Sequence, residues 1–416
     1  MLLNPIHSLP YTTERKNVLP HHSMTLPPRW LVIALIALPQ VGETLFVPAL
    51  PNIAQHWQRD SAQLQWVLSF FFLGFAPGIW FWGRLCDTWG RRPVMLTALG
   101  IASASTLGCL FVPNYELMLV CRFLQGFGLA TCSVTTQTVL RDRLSDTKLV
   151  DYFVTIGMVL AWSPALGPII GQWLVDGYGY LAVIAALLLI LISLLSACLA
   201  LWPETRPTVY ACVDTRWLIH RMLSDRALQR TILLVAGFNI LIFSFYAVGP
   251  FMIGTLPGLG FGWIGLAVAL TGSLGAAWNR LLPTTLRPSQ RISYALYCVT
   301  IGLSGQLFTI LFVVEPSLLW AVPAFLIFTG YGLAIPNLLG PALHHYRDCL
   351  GQAGALFGLA YYLIIGLALG ATSLLSFRSP LPLWLFWSST VLLMLITHRK
   401  RPTHTDPHNI LQKNKA

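Results

Sequence analysis

Charge is what this chain has least of. Only 10% of its 416 residues are Asp, Glu, Lys or Arg, against about 25% in an ordinary soluble domain. With 56% hydrophobic residues, that deficit excludes a water-facing surface of the usual kind and points to a bilayer as solvent. Metal-type cysteine spacing is also missing. None of the eight cysteines pairs as C-x-x-C and most lie in apolar runs, where cysteine serves as a small hydrophobe rather than a metal ligand or disulfide partner. No secretory leader is legible, because residues 1–28 hold five prolines and no apolar core precedes Trp30. That stretch reads as a disordered extension, with Met24 as a candidate start. No histidine cluster lies inside an apolar run and no acid pair is visible, so neither enzyme activity nor a cofactor or metal is expected. The net charge of +11 would suggest nucleic acid in a soluble protein, but it is spread over many loops, and no nucleic-acid partner is expected.

What is present is hydrocarbon-compatible length. A spanning helix needs about 20 mostly apolar residues, and twelve runs qualify: Trp30–Leu50, Leu64–Trp82, Pro93–Phe111, Leu117–Thr138, Tyr152–Val175, Tyr180–Leu201, Thr231–Phe251, Gly260–Trp278, Ile292–Val314, Leu318–Leu339, Gly351–Leu375 and Leu381–Thr397. With the N-terminus in the cytoplasm, 23 of the 26 lysines and arginines fall on cytoplasmic segments. Only Arg59 and Arg378 fall opposite, and Arg122 lies within a span. This bias orients the chain with both termini inside.

The polar, basic stretch 202–230 divides the chain. The expectation is an all-α integral membrane protein of twelve transmembrane helices in two six-helix pseudo-symmetric halves. Its parts are an N-tail (1–29), a first bundle (30–201), a cytoplasmic linker (202–230), a second bundle (231–397) and a basic tail (398–416). Two such halves suit a transporter with its site near the midplane between them. The partners expected are a small-molecule substrate, protons and the lipid bilayer, with the chain a monomer in the inner membrane.

Between the second and third runs lies Gly83-Arg-Leu-Cys-Asp87-Thr-Trp-Gly90-Arg91-Arg92. Gly83 and Gly90 would allow tight turns at two helix ends, and Asp87 would accept hydrogen bonds from helix N-termini or arginines. The arginines also anchor the cytoplasmic side. The stretch resembles the G-x-L-x-D-x-x-G-R-R signature of the major facilitator superfamily. That resemblance implies a conformational latch between the halves, formed by Gly83, Asp87, Gly90, Arg91 and Arg92. Further matches extend it. Arg122-Phe-Leu-Gln125-Gly126-Phe-Gly128 is similar to the R-x-x-Q-G-x-G pattern of proton-coupled members. Ser163-Pro164-Ala-Leu-Gly167-Pro168-Ile-Ile-Gly171 resembles the antiporter signature, with Gln172 where a second glycine is usual. Gly351-Gln-Ala-Gly354-Ala-Leu-Phe-Gly358 resembles the Bcr/CflA multidrug-resistance transporters. Echoes follow at Tyr246–Phe251, at Trp278-Asn279-Arg280, which lacks the aspartate, and at Gly332–Asn337.

Charge inside a bilayer costs about 2.5–3.5 kcal/mol even on the lenient insertion scale, so a buried ionisable group is a functional candidate. Of 15 acids, Glu43 alone falls deep within a run, about seven residues before its outer end, and Arg122 is the comparable base. Burial favours the protonated acid and a nearby guanidinium the ionised one, an opposition suited to taking up and releasing a proton. The alternative is a static ion pair. In the Bcr/CflA pattern the acid stands four residues before the first proline of P-x-L-P, which is Thr44 here. Glu43 is one step, or about 100°, away. Phe243, Tyr246, Phe357, Tyr361 and Tyr362 are cavity candidates through stacking and cation–π contact. Gln137, Asn239 and Asn337 would orient substrate or bond neighbouring helices. His344 and His345 read as solvated loop residues. The function implied is export of amphiphilic compounds in exchange for protons. A dedicated siderophore or metabolite carrier of the same fold, or a transporter-like receptor without flux, are the alternatives.

Overall fold

The computed structural model describes residues 26–144, 152, 166–206, 214–253, 260–283, 285–312, 319, 321–375 and 379–399. Every regular element among them is helical. In chain order these are α1 (Arg29–Thr44), α2 (Leu50–Trp57), α3 (Gln65–Trp89), α4 (Arg91–Cys109) and α5 (Tyr115–Arg143), then α6 (residues 166–178), α7 (Tyr180–Leu201), α8 (Thr215–Ser224) and α9 (Arg226–Ile253). They continue as α10 (Phe261–Leu281), α11 (Pro288–Phe312), α12 (Ala321–Leu339), α13 (Leu350–Thr372) and α14 (Leu381–Arg399).

Ten helical runs among the described residues are long and apolar enough to cross a bilayer. α4 is not one of them, since it opens on two arginines and carries several Ser, Thr and Gly residues. The expected fifth run, Tyr152–Val175, lies mostly outside the described residues. So do Met24, Pro164 and the tail beyond residue 399. In α7 both faces are apolar: Val183, Leu187, Leu191 and Cys198 are buried while Leu189 and Leu199 are exposed. A helix with apolar residues on its exposed side as well is a lipid-facing one.

Two boundaries differ from the expected ones for clear reasons. The first run breaks after Thr44, continues through a 3-10 turn at Val47–Ala49 and resumes as α2. Pro48 has no N–H to reach the Thr44 carbonyl four residues back, so the α-helix cannot continue through it. Glu43 therefore lies fourteen residues from the end of the helical run at Trp57, not seven. α3 runs seven residues past Trp82 to Trp89, so Gly83 and Asp87 are inside a helix rather than in a loop.

Packing falls into two groups. α1, α3, α4, α5 and α7 pack on one another, as do α9, α10, α11, α12 and α14, and α13 lies along α3 and α9. Small residues set the closest crossings. A Cβ at Gly126 of α5 would stand 2.1 Å from the Phe71 carbonyl oxygen of α3, and one at Gly332 of α12 would stand 1.9 Å from that of Gly272 on α10.

Candidate functional site

Between these groups lies a cavity of about 610 Å³. Helical periodicity brings its walls together: Pro39, Gln40 and Glu43 from α1, Phe72, Phe75 and Ile79 from α3, Asn239, Phe243 and Tyr246 from α9, and Gly354, Phe357, Gly358 and Tyr361 from α13. Gln137 and Tyr362 line it as well. Glu43, Phe71 and Tyr246 at one end are at most 2% exposed, whereas Leu339 at the other is 42% exposed. The cavity is therefore blind at Glu43 and open towards the ends of α5 and α12. Two hydrogen bonds from α3, Gln65 Nε2 to Ala247 O of α9 (3.1 Å) and Ser69 Oγ to Gly366 O of α13 (2.7 Å), close the seam beyond the blind end.

At that end Glu43 Oε1 and the Tyr246 hydroxyl are both buried without a hydrogen-bond partner among the described residues. Tyr331 and Tyr362 line the same cavity. Tyr331 donates its hydroxyl to Asn239 Oδ1 at 3.3 Å. Aromatic rings crowd the acid's surroundings, with Phe72 4.6 Å from Phe243 and nearly parallel to Tyr362 at 5.9 Å, centroid to centroid.

Arg122 is fully buried but does not line the cavity. Its guanidinium lies over the rings of Phe46 (4.0 Å) and Phe71 (4.8 Å). It also donates to Gln125 Oε1, whose amide donates to Thr106 Oγ1 at 2.6 Å. Neither an ion pair nor a hydrogen bond joins it to Glu43. Phe71 faces the guanidinium on one side and the cavity on the other.

Thr44 hydrogen-bonds back to Gln40 O at 2.8 Å and faces α6, where a Cβ at Gly167 would meet its Oγ1 at 2.0 Å. Of these two positions it is thus Glu43, not Thr44, that lines the cavity. A Cβ at Gly171 would stand 2.4 Å from the Leu45 carbonyl oxygen, and Pro168 packs against Gly265 of α10. The unusual Gln172 fits because Gly260 and Gly262, opposite it, have no side chains; a Cβ at either would come within 2.9 Å of it.

Asn337, expected in the cavity, is not there. Its amide donates to Asn279 Oδ1 at 3.0 Å, and the same oxygen accepts from Arg291 Nη1 at 2.8 Å. The cause is position: Asn337 lies beyond Pro336 at the end of α12, level with the α10–α11 turn. His344 and His345 are exposed, as expected, and no group of three or more metal-ligating side chains occurs among the described residues.

The α3–α4 junction differs from its expected form. Gly90 makes the turn, with φ of 108°, a region that favours glycine. Gly83 instead provides a close approach, since a Cβ there would lie 3.2 Å from Val134 Cγ1 and 3.5 Å from the Ala355 Cβ of α13. Arg91, 0% exposed, is held by Asp142 through Nε at 2.8 Å, by the Cys86 carbonyl at 2.8 Å and by Asp87 at 3.4 Å. Glu204 accepts the backbone N–H groups of Arg91 (2.9 Å) and Arg92 (3.0 Å) at the start of α4, while Arg92 itself donates to Leu199 O.

A sequence model of the Major Facilitator Superfamily matches residues 32–371. The chain belongs to this superfamily. It is 27% identical over 360 residues to an "Uncharacterized transporter" of Rickettsia bellii, covering 81% of this chain and 87% of the relative. It is 25% identical over 336 residues to the "Multidrug resistance protein MdtL" of Escherichia coli K12, covering 79% and 83%. The crystal structure of a D-xylose-proton symporter superposes with a TM-score of 0.71 at 12% identity, covering 90% of this chain and 98% of that one, which establishes the shared fold.

As a superfamily member the protein is a multi-pass membrane transporter. Sequence reasoning singled out Glu43 and the α3–α4 stretch but missed Tyr331, Asp142 and Glu204. Asp142 had a weak signal, sitting between two arginines at the end of a span. Tyr331 and Glu204 had none.

Proposed function

We propose that the protein exports small amphiphilic compounds in exchange for protons, by alternating access of one cavity between two six-helix halves (30–201 and 231–397) joined by the linker 202–230. It lies in the inner membrane with both termini cytoplasmic, so the open end of the cavity faces the cytoplasm. One observation carries this reading: an unpartnered carboxyl oxygen of Glu43 at the blind end of an apolar, aromatic cavity. A group that binds a proton from one side and an amphiphile, often cationic, from the other needs no permanent partner. It does need a wall on which apolar rings can pack, and Phe72, Phe243 and Tyr362 supply one. Arg122, screened by Phe71, tunes the acid without neutralising it. The α3–α4 junction serves as the latch on the cytoplasmic side. The 25% identity to a multidrug resistance protein supports the substrate class.

The test is transport in proteoliposomes under an imposed pH gradient, with a fluorescent lipophilic amine as probe. Gradient-driven movement is expected in the native protein and at least a tenfold loss in Glu43→Gln. Undiminished gradient-driven flux in that variant overturns the coupling role, and absence of any flux across a broad amphiphile panel favours a receptor.

A further inference from the structure

Of the described residues that line the cavity, two carry a full charge: Glu43 at the blind end and Arg141 towards the mouth. Arg141 stands near the end of α5 in the run Arg141-Asp142-Arg143, and helical steps of about 100° send the three side chains to different places. Asp142 is taken by Arg91 Nε at 2.8 Å and Thr205 Oγ1 at 3.1 Å, and Arg143 donates to Glu204 O at 3.2 Å. Neither lines the cavity. Arg141 does, and it continues a polar line along α5. Ser133, Gln137 and Arg141 recur every four residues, on one face of the helix, with Gln137 Nε2 donating to Ser133 Oγ at 3.2 Å. Polar side chains inside a span are kept where they face a cavity rather than lipid. The walls from α3, α9 and α13 are largely aromatic instead, with Phe72, Phe243, Phe357 and Tyr361. The acid and the base are well separated. A Cβ at Gly42 would stand 3.3 Å from Leu129 Cδ1, which puts Glu43 level with Leu129 of α5. Arg141 is twelve residues further along, about 18 Å of helix axis, too far for either charge to neutralise the other.

We propose that Arg141 is a specificity-determining residue of this cavity, selecting zwitterionic amphiphiles that set a carboxylate against Arg141 and an amine towards Glu43 across an aromatic core. The proposal rests on the export function given above and narrows its substrate class. Charge order favours it. A guanidinium is permanently charged, and its planar fork matches the two oxygens of a carboxylate. A simple cation entering from the mouth meets a like charge before it reaches Glu43. A zwitterion entering amine first brings its own anion to that point, and no net charge is left uncompensated in the cavity. Its aromatic core meets the rings of α3, α9 and α13, while Gln137 and Ser133, one and two turns further in than Arg141, offer neutral hydrogen bonds on the way. Only the amine then competes with the proton for Glu43, and the carboxylate anchors the cargo away from the coupling acid. An arginine at the cytoplasmic end of a span also serves as a topological anchor, but an anchor acts on every cargo alike.

The experiment compares two radiolabelled probes on the full chain in proteoliposomes under an imposed pH gradient. One is a biphenyl with a dimethylaminomethyl group at one end and a carboxylate at the other. The second is its methyl ester, a monocation of nearly the same shape. The native protein is expected to prefer the zwitterion in kcat/KM, and a native preference for the ester overturns the proposal with no variant needed. Arg141→Gln should lower the zwitterion-to-ester ratio by about tenfold, the worth of one hydrogen-bonded charge pair, mainly through KM. Arg141→Lys, which keeps the charge but not the fork, should lower it by less. Equilibrium binding of both probes in detergent should show the same change in ratio without any flux. A ratio left unchanged by Arg141→Gln overturns the proposal. Glu43→Gln reads the export function separately. Gradient-driven ester flux that Glu43→Gln abolishes, together with an unchanged ratio in Arg141→Gln, sinks the zwitterion selectivity alone. Absence of gradient-driven flux for both probes overturns the export function and the cargo class with it.

Discussion

Where α3 gives way to α4, a buried guanidinium is held by carboxylates; where α10 gives way to α11, a half-buried one is held by amides. Arg91 meets Asp142 and Asp87, and Glu204 caps the helix that carries it. Arg291 meets the side-chain and main-chain oxygens of Asn279 and the Pro283 carbonyl, and Asn337 completes the set. The geometry is alike, since each arginine opens or nearly opens a helix and reaches back to the end of the one before. The chemistry differs in what happens when a partner leaves. Removing a charge from a buried ionic set strands the others in low dielectric, whereas removing one from an amide set leaves groups that water or a neighbour can satisfy. The first junction is therefore tense and charge-sensitive, the second passive.

This contrast can be broken by substitution. Arg91→Ala should cost about 3–5 kcal/mol of stability, because Asp142 and Asp87 lose their counter-charge. Arg291→Ala should cost about 1–2 kcal/mol, the worth of a few hydrogen bonds to neutral acceptors. Denaturant titration in detergent micelles measures both, and equal losses would mean that the first junction's charges contribute nothing beyond ordinary hydrogen bonding.

Acid should sharpen the contrast. Burial pushes the Glu204 carboxyl up, but four backbone N–H groups, of Arg91, Arg206, Arg92 and Thr205, outweigh it and hold the group below its usual range. A depressed folded-state value means that the stabilisation is complete above the unfolded value of about 4.3 and lost as pH falls through the folded one. The melting gap between the native protein and Glu204→Gln should be full at pH 7 and shrink below about pH 4. The gap for Asn279→Ala should stay flat over the same range.

The smallest effect expected is that of Asn279→Asp, which supplies the aspartate this junction lacks. With Arg291 only half-buried, the gain should stay under about 1 kcal/mol and fade as salt rises from 0.1 to 1 M. A salt-independent gain would show that the site is more buried than its geometry implies.

Much of the fold could be read without coordinates. Long apolar runs have few fates, and the cost of a charge in hydrocarbon made Glu43 and Arg122 stand out. Helix ends were less legible, because a span such as α3 continues past its apolar run wherever its backbone remains paired. The site was legible only on its own element. Nothing local tells that Phe71 stands beside Arg122, that Asn337 leaves the cavity for Asn279, or that Gly260 and Gly262 make room for Gln172. Arg91 takes its partners from 51 and 113 residues away, and pairings over such separations leave no mark on the spacing of either stretch.

The sequence by itself determined that this is a helical membrane transporter and which of its acids is buried, since these follow from the free energy of moving side chains and backbone between water and lipid. Only the tertiary structure decided that Glu43 faces an open cavity with one carboxyl oxygen unpartnered, and that Arg122 is set behind a ring. Those outcomes depend on how helices cross, and crossings are set by small residues and carbonyls meeting across separate spans.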